Sequence, residues 1–277
     1  METSRIEIGC QGWNYDDWIG RPSARSFYPQ GTRSSEMLDL YARAFGTVEV
    51  DSTFYAIPAE TTVRNWCART PNGFTFALKL VQRITHEREL VGSEAELMEF
   101  CARARALGEK LAAVLVQLPP TFDASPSRAA ALRRFLEALP SDMRFCIEFR
   151  HSDWASVNTL AMLNERGVAF ALVEGPWIAR EIMWRLATAQ TLDFAYVRWM
   201  GARDLVHFDR VQRPQDDNLR AWSELLRDLA RRNVRVFGYF SNFYEGHAPA
   251  SANKLKRLLG QKTTGPEDLE TQPSLFD

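Results

Sequence analysis

Charged side chains stand at the carboxyl ends of several strand-like runs in this sequence. A carboxylate with a shifted pKa can act as a general acid or base, while neighbouring cations hold an anionic group of a substrate. The candidate catalytic residues are Glu49, Lys79, His86, Glu148 and Arg150. The alternative is a structural ion network in which Glu148 pairs with Arg150 or Arg198.

Amides, aromatic rings and further charged groups occupy neighbouring positions. Flat, partly polar rings suit stacking on a sugar or a base. The alternative for each ring is packing between loops. As a group these residues predict a roofed pocket, and the candidate substrate-binding residues are Gln11, Trp13, Tyr55, Gln117, Trp154, Glu174, Arg198 and Asn242.

The histidines and cysteines restrict the metal chemistry of the chain. Its four histidines do not show the H-x-x-x-H spacing, so we expect no multi-zinc site. A hard divalent cation held by Glu49 and Glu148 is compatible with the sequence, but no metal ligand is assigned and the cofactor stays unknown. The four cysteines include no C-x-x-C pair, which favours reduced structural thiols.

Alternating strand and helix patterns would bring the candidate residues together. Strands are predicted at Ile6–Cys10, Thr47–Val50, Phe74–Leu78, Ala112–Gln117, Arg144–Phe149, Val168–Val173, Phe194–Trp199 and Val234–Phe240. Helical patterns are predicted at Ser35–Phe45, Glu60–Thr70, Ser93–Gly108, Ser127–Leu139, Asp153–Arg166, Ile178–Thr188, Asp216–Arg232 and Pro249–Leu259. Eight such units predict an α/β fold, a (β/α)8 TIM-type barrel, with an open doubly wound sheet as the alternative.

Residue alternation along the strands supports the barrel. In the fifth predicted strand, Phe145, Ile147 and Phe149 share one face, so Glu148 and Arg150 share the other. Barrel enzymes place their chemistry at the carboxyl ends of the strands. The polar groups are therefore predicted to converge at one mouth of the barrel.

Length and composition agree with a globular protein. The chain has 277 residues, of which 45% are hydrophobic, and a formal net charge of −1. No global positive field exists to hold nucleic acid or an anionic membrane, so a polyanion would need a local patch. With no signal-peptide pattern and no long apolar span, we expect a cytoplasmic protein without a membrane partner.

Two regions are predicted from the change in composition near residue 260. Residues 1–260 form the barrel domain, and residues 261–277 form a flexible tail that lacks apolar periodicity. The sequence has no P-loop, Rossmann, serine-hydrolase or zincin motif. This argues against nucleotide hydrolysis, dinucleotide binding, serine-hydrolase chemistry and zinc-protease chemistry.

Several blocks of the sequence resemble the YecE-like family, also called domain of unknown function 72, from Ile6 to about Leu259. The resemblance implies a TIM-type barrel of the kind found in sugar isomerases and the endonuclease IV group, and it points to a fold more than to a reaction. The blocks are Ile8-Gly9-Cys10-Gln11-Gly12-Trp13, Phe27-Tyr28-Pro29, Val48-Glu49-Val50-Asp51-Ser52-Thr53-Phe54-Tyr55, Phe76-Ala77-Leu78-Lys79, Ile84-Thr85-His86, Gln117-Leu118-Pro119-Pro120, Glu148-Phe149-Arg150-His151 and Gly246-His247-Ala248.

Two positions depart from the family pattern. The seventh predicted strand ends in Arg198-Trp199-Met200-Gly201 where Arg-x-His-Gly is expected, so no histidine role is carried over to that position. The sixth ends in Glu174 where the family often has Asp, which keeps the charge and lengthens the reach.

The end of the chain resembles the bacterial sliding-clamp-binding motif, Gln-x-Ser/Asp-Leu-Phe. Leu275 and Phe276 would fill an apolar groove, and Gln272 would supply a hydrogen bond. The residues assigned to this partner are Gln272, Ser274, Leu275 and Phe276. The alternative is a frayed terminus whose last apolar residues fold back on the barrel.

Three functions follow from these observations. The first is a hydrolase or lyase that acts on DNA or a phosphorylated small molecule and is recruited to the sliding clamp in repair or replication. The second is a carbohydrate-active enzyme that uses Glu49 and Glu148 as its carboxylate pair. The third is a non-catalytic adaptor whose pocket binds a small anion.

Overall fold

Parallel strands form a nearly closed barrel in the computed structural model of the chain, which describes residues 5–22 and 26–270. The strands are β1 (Ile6–Gln11), β2 (Thr47–Val50), β3 (Thr75–Lys79), β4 (Leu111–Gln117), β5 (Phe145–Glu148), β6 (Val168–Phe170), β7 (Leu172–Glu174), β8 (Phe194–Trp199) and β9 (Arg235–Phe240). They pair in the order β6-β5-β4-β3-β2-β1-β9-β8-β7. The predicted α/β TIM-type barrel is confirmed, and it forms a single domain.

The sixth predicted strand differs from the prediction because it changes partners partway along. Its first part, β6, pairs with β5, whereas its second part, β7, pairs with β8. Ala171 lies between the two parts and donates its N–H to Ile147 O at 2.9 Å. One continuous stretch therefore connects both edges of the sheet, so nine short strands occupy eight positions around the barrel.

Helices surround the barrel in the predicted order. They are α1 (Met37–Ala44), α2 (Glu60–Ala68), α3 (Glu94–Arg105), α4 (Pro126–Ala138), α5 (Val157–Asn164), α6 (Arg180–Ala189), α7 (Asp216–Arg231), α8 (Asn242–Glu245), α9 (Ala248–Leu258) and α10 (Pro266–Leu269). In α7, Leu219, Trp222 and Leu226 recur at helical spacing and are fully buried. No helix among the described residues combines the length and apolar content needed to cross a membrane.

The barrel interior is polar along part of its length. Arg235 Nε donates to Glu7 Oε1 at 2.7 Å, and Thr75 Oγ1 donates to Glu7 Oε2 at 2.8 Å. The Thr47 hydroxyl lies 2.8 Å from that of Thr75 and 2.8 Å from that of Tyr239. These contacts place alternate residues of the strands inside the barrel, as the alternation of the sequence predicts.

Residues 261–270, which we predicted as the start of a flexible tail, pack against the barrel. Gln261 Nε2 donates to Ile6 O at 2.8 Å, and Leu269 of α10 is fully buried. This part of the segment therefore contacts the folded domain although it lacks apolar periodicity. The rest of the predicted tail, including Gln272, Ser274, Leu275 and Phe276, lies outside the described residues.

Gly9 allows a side chain from α1 to hold the first two strands together. The Tyr41 hydroxyl accepts from Cys10 N at 2.7 Å and donates to Thr47 O at 3.0 Å. A β-carbon on Gly9 would lie 2.1 Å from Thr47 O and 2.9 Å from the Tyr41 hydroxyl. The close approach therefore requires glycine at this position.

We expect Gly9→Ala to lower the free energy of unfolding by about 1–3 kcal/mol, because the new methyl group separates β1 from β2 or displaces Tyr41. For a domain of this size, each kcal/mol of lost stability lowers the melting temperature by roughly 2–4 °C, which a thermal melt measures. Gly46→Ala is the matched control, since a β-carbon there meets nothing within 4 Å. Equal melting temperatures for the two variants would show that the strands absorb the methyl group.

Candidate functional site

A pocket of about 360 Å³ opens at the carboxyl end of the barrel, where the sequence predicted the polar groups to converge. Residues from seven strand ends and their loops form its walls. The sequence-predicted residues that line it are Gln11, Tyr55, Lys79, His86, Gln117, Arg150 and Arg198. Side chains from widely separated parts of the chain therefore meet in one cavity.

A buried ion network forms the floor of this pocket; it consists of Glu49, Glu148, Arg150, Tyr196 and Arg198. Arg198 donates Nε and Nη2 to the two oxygens of Glu49, at 2.9 and 2.7 Å, and Nη1 to Glu148 Oε2. Arg150 Nε donates to Glu148 Oε1 at 2.6 Å, and the Tyr196 hydroxyl donates to Glu49 Oε2 at 2.7 Å. Each carboxylate is thus shared between two donor side chains.

Charge pairing decides the protonation of this network. Burial disfavours a charged Glu148, but the positive charges of Arg198 and Arg150 outweigh it and hold the pKa of this carboxyl at about 2. Burial also acts against a charged Arg198, yet Glu148 and Glu49 raise the pKa of the guanidinium above its usual range. Both members of this pair are therefore ionised at neutral pH.

The predicted catalytic carboxylates lie below the pocket rather than in it. Glu49 and Glu148 have no solvent exposure, and all four of their oxygens accept hydrogen bonds from the network. The structural alternative raised from the sequence describes these two residues better than a catalytic role. A divalent cation between them would have to displace Arg198, and no cluster of three or more metal-ligating side chains occurs in the described part of the chain.

Lys79 extends from the end of β3 into the pocket without a carboxylate partner. Its Nζ lies 3.6 Å from the centroid of the Phe54 ring, and the residue is 8% exposed. Burial and the repulsion of Arg198 lower the pKa of the Lys79 ammonium to about 7. A substantial fraction of this amine is therefore neutral, and so nucleophilic, at physiological pH.

His86 follows β3 on a turn of π-helix, Arg83–Glu87, which aims the imidazole at the pocket. Burial and the positive charges of Lys79 and Arg150 lower the pKa of His86 to about 4. A neutral ring with its proton on Nδ1 satisfies both neighbours, since it donates to Thr85 Oγ1 at 2.8 Å and accepts from Gln117 Nε2 at 3.3 Å. The ring is thus fixed in one orientation against Gln117.

Arg150 connects the network to the open space of the pocket. Its guanidinium carbon lies 3.8 Å from the centroid of the Trp177 ring, and its Nη2 makes no hydrogen bond within the described residues. Burial and the charges of Arg198 and Arg203 lower the pKa of Arg150 although Glu148 opposes them. Arg203 lines the same pocket from its exposed rim. Arg150 and Arg203 therefore both present positive charge to the same cavity.

Four predicted substrate-binding residues lie elsewhere. Trp13 packs edge-on against Trp66 and lines an adjoining cleft of about 380 Å³. The indole of Trp154 donates to Phe122 O at 2.9 Å. Asn242 accepts from the Trp18 indole at 3.0 Å, and Glu174 accepts from that of Trp222 at 2.6 Å. Hydrogen bonds within the scaffold thus occupy Trp154, Asn242 and Glu174.

Other pocket residues were not among the sequence candidates. Asp51 is a carboxylate among the described lining residues, and burial together with the charge of Glu49 raises its pKa. Its position directly after β2 was the available signal, whereas Arg203 lies in a loop without periodicity. The other residues of this kind are Tyr15, Phe54, Gln82, Met200, Ser241 and Phe243.

Similarity to known proteins extends over the whole barrel. Residues 7–275 match the family described as Protein of unknown function DUF72. The UPF0759 protein YunF of Bacillus subtilis is 28% identical over 281 residues, covering 94% of this chain and 96% of YunF. The UPF0759 protein YecE of Escherichia coli K12 is 32% identical over 163 residues, covering 59% of this chain and 55% of YecE. The crystal structure of a DUF72 family protein from Thermotoga maritima has a TM-score of 0.77 at 25% identity and covers 92% of this chain and 99% of that one.

We expect the ion network to make stability depend on pH in acid. The pKa of Glu148 falls from an ordinary 4.5 to about 2 on folding, so its contribution is complete above pH 4.5 and is lost as the pH falls toward 2. Glu148→Gln should lower the free energy of unfolding by about 3–5 kcal/mol at pH 7. Urea titrations from pH 7 to 2.5 should show the difference from wild type shrinking below pH 4.5.

The control for this experiment is Glu165→Gln, which alters an exposed carboxylate at the end of α5. We expect it to follow the wild-type pH profile. A destabilisation by Glu148→Gln that stays constant from pH 7 to 2.5 would contradict the ionised network.

Proposed function

This chain belongs to the DUF72 family, and we propose that it is an enzyme, a hydrolase or lyase, that acts on a phosphate-containing substrate at the mouth of its barrel. The observation that carries the proposal is that guanidinium groups outnumber carboxylates among the described residues that line the pocket. Lys79, Arg150, Arg198 and Arg203 line the pocket, against Asp51 as the carboxylate among its described lining residues. A phosphate group could accept hydrogen bonds from the guanidinium groups that face the cavity.

Arg150 and Arg203 are the groups best placed to hold that phosphate. Glu49 and Glu148 already neutralise much of the charge of Arg198, whereas Arg150 keeps a buried Nη2 without a partner in the described structure. A guanidinium group matches phosphate oxygens with paired N–H donors. An anion bound here would also relieve the repulsion between the two arginines.

The size of the pocket restricts the substrate. A cavity of about 360 Å³ takes a small phosphorylated molecule or a single nucleotide turned out of a strand, but not a duplex. Tyr55, which is 72% exposed at the rim, offers a ring on which a base or sugar could stack. Both DNA and small phosphate esters therefore belong to the proposed substrate class.

The alternative functions receive less support from the geometry. A glycosidase needs two carboxyl groups that flank the bond it cleaves. Glu49 and Glu148 are bound to Arg198 beneath the pocket instead. An adaptor that only binds an anion would use the same arginines, and it is distinguished from an enzyme by the absence of turnover.

The clamp-like residues Gln272, Ser274, Leu275 and Phe276 add a proposal about recruitment, which rests on the sequence alone. Attachment to a sliding clamp would raise the effective concentration of DNA near the pocket without further contacts from the barrel. This would offset the weak overall attraction expected of a chain with a net charge of −1.

We expect inorganic phosphate to bind the intact protein, and Arg203→Met and Arg150→Met each to weaken that binding about tenfold or more, the effect of losing one charged hydrogen bond. Isothermal titration calorimetry measures the affinity. Arg166→Met, which changes an exposed arginine paired with Glu137, is the matched control. Equal affinity of Arg203→Met and wild type would remove the anion site.

A screen of phosphate monoesters, single-stranded DNA and abasic-site DNA then separates enzyme from adaptor. We expect turnover of one of these classes by wild type and a loss of at least about a hundredfold in Lys79→Ala, since chemical groups in active sites typically contribute at this level. Phosphate binding without turnover of any substrate would favour the adaptor.

We expect a purified bacterial sliding clamp to bind the intact chain and not a variant carrying Leu275→Ala and Phe276→Ala, because these two side chains supply the apolar contact. Fluorescence anisotropy of the labelled protein measures the interaction. Glu270→Gln, just before the motif, is the control. Equal binding by the wild type and the double variant, or no binding by either, would refute recruitment through this motif.

A further inference from the structure

We infer that Lys79 is a nucleophile that forms an imine with an aldehyde, and that the substrate carries its phosphate on the second carbon from this aldehyde. The geometry that points to this is an amine buried against a ring, open to the pocket and next to a guanidinium pair suited to phosphate. The inference rests on the proposed function and narrows it from hydrolase or lyase to lyase.

Lys79 differs from the other lysines of the chain. There are five lysines in the sequence, at positions 79, 110, 254, 256 and 262. Lys110 donates to Cys67 O, Lys254 to Glu245 Oε1 and Lys256 to Ala44 O, at 2.8, 2.9 and 3.1 Å. Lys262 is exposed. Lys79 is the buried lysine whose Nζ has no oxygen acceptor within the described residues.

The surroundings of Lys79 favour a neutral amine over an ammonium. Burial removes Nζ from water, and Arg198 and Arg150 repel a positive charge. These effects outweigh the attraction of the Phe54 ring, whose centroid lies 3.6 Å from Nζ, for an ammonium. Glu148 and Glu49 attract such a charge, but both are already paired with the arginines. Desolvation beside other cations is the environment in which lysines serve as imine-forming nucleophiles.

Imine formation can be written with the groups that line the pocket. The Nζ lone pair attacks the carbonyl carbon, the C=O π bond breaks, and one N–H proton passes to the oxygen to give a carbinolamine. Protonated Asp51 then gives a proton to the hydroxyl group, which leaves as water, and the C=N bond of an iminium forms. Burial and the charge of Glu49 raise the pKa of Asp51, which favours this donation.

Elimination follows from the same arrangement. The iminium acidifies the neighbouring C–H bond, and the Asp51 carboxylate removes that proton to give an enamine. The enamine electron pair forms a C=C bond as the C–O bond of the next carbon breaks, and the phosphate leaves with that bond pair. Arg150 and Arg203 stabilise the departing anion. Water then adds to the conjugated iminium, the C–N bond breaks to give an aldehyde and neutral Lys79, and the proton released passes to the phosphate. The reaction therefore needs no oxidant or cofactor.

Reductive trapping tests the inference on the full-length protein. Glyceraldehyde 3-phosphate has an aldehyde and a phosphate at the required separation, and cyanoborohydride converts its imine to a stable amine. Peptide mass mapping should locate the adduct on Lys79, formed at least tenfold faster than on exposed Lys262 at pH 7. A lysine of pKa about 7 is half neutral at that pH, whereas an ordinary lysine is below about 0.1% neutral.

Two further readouts belong to the same experiment. The adduct rate at Lys79 should rise as the pH increases from 6 to 8 and then level off, because the neutral amine is the reactive form. Inorganic phosphate should protect Lys79 by occupying the arginine pair. Lys79→Arg keeps a cation and should abolish the adduct, whereas Lys262→Arg should leave the labelling of Lys79 unchanged.

The outcomes separate this inference from the proposed function. If Lys79 is labelled no faster than Lys262 while phosphate still binds and Arg203→Met weakens it, the imine is refuted and the anion site stands. Should neither phosphate binding nor selective labelling occur, both proposals fail. Labelling of Lys79 without protection by phosphate would refute the placement of the phosphate beside this amine.

Discussion

The arrangement of the barrel mouth depends on the ion pairs that Arg198 forms with Glu49 and Glu148. Two carboxylates without solvent exposure would be strongly destabilising if they were left unpaired. Arg198 binds Glu49 through two nitrogens and Glu148 through the third, so one side chain of β8 joins strands from opposite parts of the barrel. The network thereby ties β2, β5 and β8 together directly beneath the pocket.

This arrangement separates charges that cancel one another from charges that face the open cavity. The network uses the oxygens of Glu49 and Glu148, so neither carboxylate is left for Lys79 or for Nη2 of Arg150, which is buried without a partner among the described residues. Burial and the charge of Arg198 lower the pKa of Lys79, while Arg150 and Arg203 present guanidinium groups to the same cavity. A floor of paired charges and a cavity lined by further cationic groups thus arise from one distribution of side chains.

Strand alternation predicted most of the fold and the direction of most site residues. It placed Glu148 and Arg150 inside the barrel correctly, but alternation fixes the side of a strand and not the depth of a residue. Depth depends on the stagger between strands, so the pairing with Arg198 could be raised only as an alternative. The sequence could have placed Glu174 outside the barrel. It lies four residues after Phe170 in the same strand pattern, so both face outward, and Phe170 packs against Phe149 there.

Other features left weaker signals in the sequence. The partner change at Ala171 depends on the closure of the whole sheet and has no local marker. An aromatic residue such as Trp154 has the same sequence appearance whether it stacks on a ligand or between Phe122 and Phe149. Arg203 lies in the irregular segment after β8, where no periodicity indicates which way a side chain points.

The position of Arg203 has a consequence for how such a protein can diversify. Its segment is attached to the scaffold through Phe208 N, which donates to Asp17 at 2.9 Å, and Gln212 N, which donates to Glu245 O at 2.7 Å. None of these contacts involves the ion network or Lys79. Exchange of this segment would therefore alter the charge at the rim of the pocket while the ion network beneath it remains intact.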